Sequence, residues 1–129
     1  MTDVLIDHTV LAERYLAVWN ETDPSARRRA IDDLYAPDAR YVDPLADARG
    51  RESIDATVAA VQAQLPGLVF RLAGPVDGHH DVARFTWEVV PAGAPADATA
   101  PLVGFDVIAV DGQGRLRAVA GFLDRVPAA

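Results

Sequence analysis

The chain has 129 residues, no cysteine and a net charge of −7. This length is typical of one domain around one core, and the lack of cysteine excludes disulfides and thiolate metal sites. All 12 cationic residues are arginine, which excludes a lysine Schiff-base mechanism, and the negative charge disfavours nucleic acid as a partner. With short apolar runs and no basic leader, the sequence predicts a cytoplasmic protein without a membrane segment.

Helical periodicity dominates the first half of the chain. Apolar residues from Leu11 to Trp19 recur at spacings of three and four, which predicts an amphipathic helix. Asp23 and Pro24 are a capping signal, so a second helix is expected from about Pro24 to Tyr35, ended by Pro37. A third helix is predicted from about 51 to 65, closed by a proline and a glycine.

The second of these helices carries the one cluster of cations in the sequence. Arg27, Arg28 and Arg29 are adjacent, and acidic residues flank them on both sides. Charge runs of this kind usually lie on a solvated surface. We therefore interpret the three arginines as a solvated helix face.

Strand patterns begin at residue 40 and dominate from residue 68. A short strand at 40–43 ends at Pro44, and a polar loop is expected after it. Two hairpins are predicted from strands at 68–73, 82–90, 102–110 and 116–123, with a long, mobile loop at 91–101 between them. This order predicts an α+β fold in which three N-terminal helices pack on a curved antiparallel sheet, a cone-shaped barrel open at one end.

Three polar residues are candidates for chemistry. Asp43 shares a strand face with Tyr41 and is either a base at a ligand pocket or a cap of the following loop. Asp106 interrupts an apolar strand, where a carboxylate must be paired with a cation, protonated or exposed to solvent. Tyr15 lies on the apolar stripe of the first helix, where a phenol is either core or a hydrogen-bond donor.

Other residues are expected to line a hydrophobic pocket or its rim. His79 and His80 are adjacent, so their side chains should point to opposite faces, and we predict no metal site there. Asp124 is either a further pocket carboxylate or the partner of Arg125 in a surface ion pair. The expected lining residues are Trp19, Tyr41, Trp87, Phe105, Phe122 and, at the rim, His80.

Several segments of the chain resemble the nuclear transport factor 2-like superfamily, and within it SnoaL-like polyketide cyclases and ketosteroid isomerase. The resemblance covers nearly the whole chain, which indicates a single domain spanning residues 1–129. It also includes Phe105–Asp106 and the turn at 111–114. The segments that carry it are Arg14–Asn20, Leu34–Ala39, Tyr41–Pro44 and Gly50–Ile54.

The resemblance implies roles for the three polar candidates. The oxyanion-stabilising tyrosine of ketosteroid isomerase falls on Tyr15, its proton-shuttling aspartate on Asp43, and its protonated aspartic acid on Asp106. No cofactor is implied. The expected function is an acid/base enzyme of the isomerase, aldol cyclase or dehydratase type acting on a hydrophobic carbonyl compound.

Two other functions stay open at this point. One is a non-catalytic module that binds a hydrophobic ligand or forms a homodimer through an apolar sheet face containing Val103, Phe105 and Val107. The other is epoxide opening, which would need an Asp-Arg-Asp arrangement with Arg84 in the pocket.

Overall fold

The computed structural model describes residues 6–127. Within these residues, three helices pack on a curved, unclosed sheet of seven strands. The elements in chain order are α1 His8–Asn20, α2 Pro24–Leu34, β1 Tyr35–Val42, β2 Asp47–Arg49, α3 Arg51–Gln64, β3 Leu68–Leu72, β4 Asp77–His79, β5 Val82–Pro91, β6 Leu102–Val110 and β7 Leu116–Arg125.

The predicted helix starts are present. Asp23 caps α2 by accepting a hydrogen bond from the backbone N–H of Ala26 at 2.8 Å, and Pro24 follows in the first turn. Asp7 caps α1 in the same way. The expectation of three helices packed on a curved sheet is confirmed.

The sheet is mixed rather than antiparallel. Its order is β2-β1-β7-β6-β5-β3, with β4 also paired to β5, and β1 runs parallel to β7. A long excursion of the chain separates β1 from β7, so no hairpin constrains their relative direction. The sequence pattern within each strand carries no information about this pairing.

Strand β1 also begins earlier than expected. Helix α2 ends at Leu34, and Pro37 lies inside β1 instead of ending the helix. The pairing of β1 with β7 shifts between Tyr35 and Arg40, so the missing N–H of Pro37 removes no ladder hydrogen bond. The expected polar loop after β1 contains β2, which pairs back onto β1.

The arginine cluster is not a solvated face throughout. Arg27 is only 6% exposed and forms a 2.6 Å ion pair with Asp55 of α3. Its guanidinium also donates to the side-chain oxygen of Gln62. Arg28 and Arg29 lie outside this contact, so the prediction was wrong for Arg27 because one residue of a charged turn faces the neighbouring helix.

The loop at 91–101 is anchored rather than free. Arg71 of β3 donates to the backbone carbonyl oxygens of Ala94 and Pro95, and Arg125 donates to that of Ala100. Arg71 is itself paired with Glu88 at 2.7 Å. Arginine side chains on the outer face of the sheet therefore hold a segment that the sequence predicts to be mobile.

Candidate active site

A cavity of about 520 Å³ lies between the helices and the inner face of the sheet. Its walls are mostly apolar, and α1, α3 and the strands all contribute to them. The residues that line it are Tyr15, Leu16, Trp19, Tyr41, Asp43, Leu45, Ala46, Thr57, Ala60, Val61, Gln64, Leu65, Phe70, Trp87, Leu102, Asp106, Gly121, Phe122, Leu123, Val126 and Pro127.

Asp106 is the buried carboxylate of this cavity. It lies on the inner face of β6 because side chains alternate along the strand, and it is 2% exposed. The hydroxyl of Tyr15 donates to Oδ2 of Asp106 at 2.5 Å. The other oxygen, Oδ1, is buried and has no hydrogen-bond partner among the described residues.

Burial raises the pKa of Asp106 to about 6. The indole N–H of Trp87 and the hydroxyl of Tyr15 lower this pKa, and the nearby charge of Asp43 raises it. Burial also raises the pKa of Tyr15 well above its ordinary value, and the charge of Asp106 adds to this. Asp106 is therefore the group that gains or loses a proton near neutral pH, while Tyr15 stays protonated.

Asp43 is a second carboxylate, bound to a second tyrosine. The hydroxyl of Tyr41 donates to Oδ2 of Asp43 at 2.5 Å. Oδ1 accepts hydrogen bonds from the backbone N–H groups of Leu45 and Ala46, each at 2.8 Å. Asp43 therefore lines the cavity and also orders the turn after β1. Its role as a base stays a prediction.

Gly121 of β7 separates the two carboxylates. A methyl group added there would lie 2.8 Å from Oδ1 of Asp106 and 3.3 Å from Cβ of Asp43. Both contacts are tighter than ordinary van der Waals distances. The glycine therefore allows the two acidic side chains to approach the same point of the sheet.

Four aromatic rings form one continuous wall of the cavity. The ring centroids of Tyr41 and Trp19 are 5.6 Å apart, those of Trp19 and Phe70 5.4 Å, and those of Phe70 and Trp87 5.3 Å. These separations are in the range of favourable aromatic pairs. The wall offers a large apolar surface to a bound molecule.

The structure brings most of the predicted site residues together. Tyr15, Asp43 and Asp106 line one cavity. Of the predicted lining residues, Trp19, Tyr41, Trp87 and Phe122 are also there, and Phe122 is 54% exposed at the rim.

Two residues expected at the cavity lie outside it. Phe105 is adjacent to Asp106 on β6, so its side chain points to the opposite face of the sheet. His80 lies in the turn between β4 and β5 with a φ of 49°, and its backbone carbonyl contacts the ring of His8. Strand alternation excludes Phe105 from the cavity, and the turn places His80 away from it.

The residues named for alternative chemistry are also elsewhere. Arg84 is exposed and pairs with Asp77 at 3.1 Å, so it does not supply the arginine that epoxide opening requires. Asp124 is exposed and absent from the cavity lining. Within residues 6–127, Asp124 and Arg125 form no ion pair with each other.

Sequence reasoning missed several residues that shape the cavity. Phe70 shares its strand face with Leu68 and Leu72, and this alternation is a signal that could have placed it in the wall. Gly121 carries no such signal, because its importance depends on which strands lie beside β7. The lining residues of α3, among them Val61 and Gln64, depend on how that helix is rotated against the sheet.

In the part of the chain that the structure describes, no group of three or more His, Cys, Asp or Glu side chains is arranged to hold a metal ion. None of the helices within residues 6–127 is both long and apolar enough to cross a membrane. The donor groups of the cavity include hydroxyl and indole groups, and its acceptors include two carboxylates.

Helices packed on a half-open sheet around a cavity with two tyrosine-bound carboxylates define a small α+β protein with the nuclear transport factor 2-like fold. Residues 12–119 match the family described as the SnoaL-like domain. The chain belongs to the SnoaL-like family.

Solved structures agree with this assignment. A candidate isomerase of the SnoaL-like family from Agrobacterium tumefaciens is 38% identical, with a TM-score of 0.83, and the match covers 91% of this chain and 97% of that chain. No curated protein matches the sequence.

More distant structures share the fold. A SnoaL-like candidate polyketide cyclase from a Jannaschia species is 16% identical, with a TM-score of 0.69 over 96% of this chain and 92% of that one. A protein with a ketosteroid isomerase-like fold from Catenulispora acidiphila, in complex with trimethylamine, is 21% identical, with a TM-score of 0.65 over 86% of this chain and 82% of that one.

Proposed function

We propose that the protein is an acid/base enzyme that moves a proton next to the carbonyl group of a hydrophobic small molecule. The observation that carries the proposal is Asp106, a buried carboxylate in an apolar cavity, with one oxygen held by Tyr15 and the other without a partner among the described residues. Burial brings its pKa to about 6. A base with a pKa near the working pH is suited to proton transfer.

The hydrogen bonds favour Asp106 over Asp43 as the base. Three donors already bind the oxygens of Asp43, whereas Asp106 accepts a hydrogen bond from Tyr15 alone among the described residues. Its carboxylate therefore keeps lone pairs for a substrate proton even if one further donor binds it. In the proposed step the Asp106 carboxylate takes the proton, the C–H bond breaks, and its electron pair forms an enolate. Asp106 then returns the proton to another carbon in an isomerisation, or to the new alkoxide after the enolate has attacked a second carbonyl group in an aldol cyclisation.

The relatives support the class of reaction and leave the substrate open. The relative from Agrobacterium tumefaciens is a candidate isomerase, and the Jannaschia relative is a candidate polyketide cyclase. Isomerases that move a double bond beside a carbonyl group, and cyclases that close a ring by aldol addition, both take a proton from a carbon next to a carbonyl group. The aromatic wall and the cavity volume favour a flat, largely apolar substrate.

Deuterium exchange tests the proposal without knowledge of the product. β,γ-Unsaturated ketones and poly-β-ketones are incubated with the protein in D₂O, and NMR follows deuterium entry at the carbon next to the carbonyl group. Asp106→Asn should slow exchange at least about a hundredfold. Asp124→Asn, a change to an exposed strand aspartate outside the cavity, should leave the rate unchanged.

The pH profile separates the two assignments of the base. If ionised Asp106 accepts the proton, kcat/KM rises with pH and levels off above about 6, the pKa of that group. If Asp106 instead acts as a protonated donor to an enolate formed by Asp43, kcat/KM falls through the same pH. Equal exchange rates for wild type and Asp106→Asn would rule out the proposal, and loss confined to Asp43→Asn would move the base to Asp43.

A non-catalytic ligand-binding module is the second candidate. It is favoured by the way the polar groups of the cavity are bound to each other, Tyr15 to Asp106 and Tyr41 to Asp43. Such internal pairs also occur where a protein only has to satisfy buried groups. Saturable binding of the same ketones, with deuterium exchange no faster than in buffer, would support this function instead.

A further inference from the structure

Trp87 lies directly over the strand that carries Asp106. It is paired with Gly104 of β6, and both residues are on the inner face of the sheet. A methyl group added at Gly104 would lie 2.0 Å from Cζ2 and 2.4 Å from Cε2 of the Trp87 ring. No side chain other than that of glycine leaves room for the indole at this point.

The polar edge of this indole faces the region of Asp106. The atom Cε2 is bonded to Nε1, and Asp106 is the next inner-face residue of β6 after Gly104. Nε1 of Trp87 and Oδ1 of Asp106 are both buried, and neither has a hydrogen-bond partner among the described residues. One is only a donor and the other, in the ionised carboxylate, is only an acceptor, so each is the kind of partner that the other lacks.

We propose that Trp87 is a positioning residue for Asp106, and that its indole N–H joins the Tyr15 hydroxyl in holding the Asp106 carboxylate ready for proton transfer. This role rests on the proposed function of Asp106 as the base. Each donor would then serve a different oxygen, Tyr15 at Oδ2 and Trp87 at Oδ1. Because both donors are fixed in place, they restrict the carboxylate to one orientation in the cavity.

The groups around Asp106 determine in which direction its pKa should change when the Trp87 N–H is lost. Tyr15 of α1, Tyr35 and Tyr41 of β1, and Asp43 after β1 are the titratable groups that face it. Burial raises its pKa, the Trp87 N–H and the Tyr15 hydroxyl lower it, and the charge of Asp43 raises it. Loss of the Trp87 N–H removes a lowering influence, so Asp106 should then hold its proton to a higher pH.

The first test needs no variant of Trp87. The chain has two tryptophans, so its NMR spectrum contains two indole N–H signals, which Trp87→Phe and Trp19→Phe assign. The Trp87 signal should shift with pH around a midpoint of about 6, the pKa of Asp106, and this shift should vanish in Asp106→Asn. Trp19 lines the same cavity and also has an unpartnered N–H among the described residues, so it is the matched control.

The second test measures Asp106 itself through its ¹³C carboxyl signal, identified by its loss in Asp106→Asn. Trp87→Phe keeps an aromatic ring and removes the N–H, and the titration midpoint should rise by about one pH unit. Trp19→Phe should leave it unchanged. A Trp87 indole signal that does not respond to pH, or equal midpoints in wild type and Trp87→Phe, would overturn the proposal.

Both measurements read protonation rather than turnover. A failure of Asp106→Asn to slow deuterium exchange would therefore reject the proposed function and leave the Trp87 contact to be judged separately. If both proposals hold, the pH at which kcat/KM reaches half of its plateau is higher in Trp87→Phe than in wild type. The increase equals the shift of the carboxyl midpoint.

Discussion

Two glycines on the inner face of the sheet make room for the side chains of the site. Gly104 is covered by the ring of Trp87, and Gly121 is flanked by the two carboxylates. Gly104→Ala should destabilise the protein by about 2 kcal/mol, because the added methyl group must displace a buried ring. Urea denaturation followed by tryptophan fluorescence measures this change.

Gly112→Ala is the matched control. Nothing lies within 4 Å of a methyl group added at Gly112, and its φ is not in the left-handed region. Its stability should stay within about 0.5 kcal/mol of wild type. Equal stabilities of Gly104→Ala and Gly112→Ala would contradict the close approach of Trp87 to β6.

At the residue scale, sequence reasoning succeeds where a side chain's own strand decides its direction. The shared face of Tyr41 and Asp43 follows from alternation alone, and the structure joins the two by a hydrogen bond. The same rule, applied to Asp106, would have excluded its neighbour Phe105, so the prediction that Phe105 lines the cavity was wrong although the signal was present in the sequence. Gly104 could not be recognised, because its role depends on Trp87 of another strand.

At the scale of elements, Arg27 connects two helices. Its guanidinium contacts Asp55 and Gln62 of α3, and Gln62 in turn donates to the backbone carbonyl oxygens of Trp19 and Glu21 at the end of α1. Arg27→Ala should cost about 2 to 3 kcal/mol of the free energy of unfolding, because it leaves the partly buried Asp55 unpaired.

Arg28→Ala provides the comparison for this prediction. Arg28 is in the same helical turn and pairs with Asp32 at 2.9 Å, but both side chains are more than 40% exposed, at 43% and 44%. Exposed pairs of this kind contribute little to stability, because water and salt screen the attraction. Urea denaturation should therefore separate the two variants clearly, and equal losses would show that Arg27 does not link the helices.

The helices could be predicted from the sequence because periodicity and capping residues are local signals, as at Asp23 and Pro24. The pairing of the strands in the sheet could be predicted only in part. The direction of β1 relative to β7 is set by contacts between distant segments, and β2 is only three residues long, without an apolar pattern of its own. The prediction that Pro37 ends the second helix was wrong, because a strand tolerates a proline where its pairing is irregular.

At the scale of the whole molecule, the outer face of the sheet presents Val103, Phe105 and Val107, all half-buried. The homodimer that this apolar row suggests stays a prediction, as does the cytoplasmic location. The inner face and the helices form the core, and the cavity opens at one end of it. The site is thus part of the single packed core, and small single domains usually unfold as one unit.

A functional carboxylate in that unit should lower its stability. The pKa of Asp106 is about 6 in the folded protein, against an ordinary value of 3.8. Between these two pH values the folded chain binds more protons than the unfolded chain, so its stability falls as the pH rises. Asp106→Asn lacks this ionisation, and its stability relative to wild type should increase by about 2 to 3 kcal/mol from pH 4 to pH 7.

Urea denaturation of wild type and Asp106→Asn at several pH values measures this difference, and other titrating groups cancel in the comparison. Asp124→Asn, at an exposed position on β7, should differ from wild type by less than about 0.5 kcal/mol throughout. A difference between wild type and Asp106→Asn that does not change with pH would mean that Asp106 ionises as easily in the folded protein as in water. Its burial would then not create the base on which the proposed reaction depends.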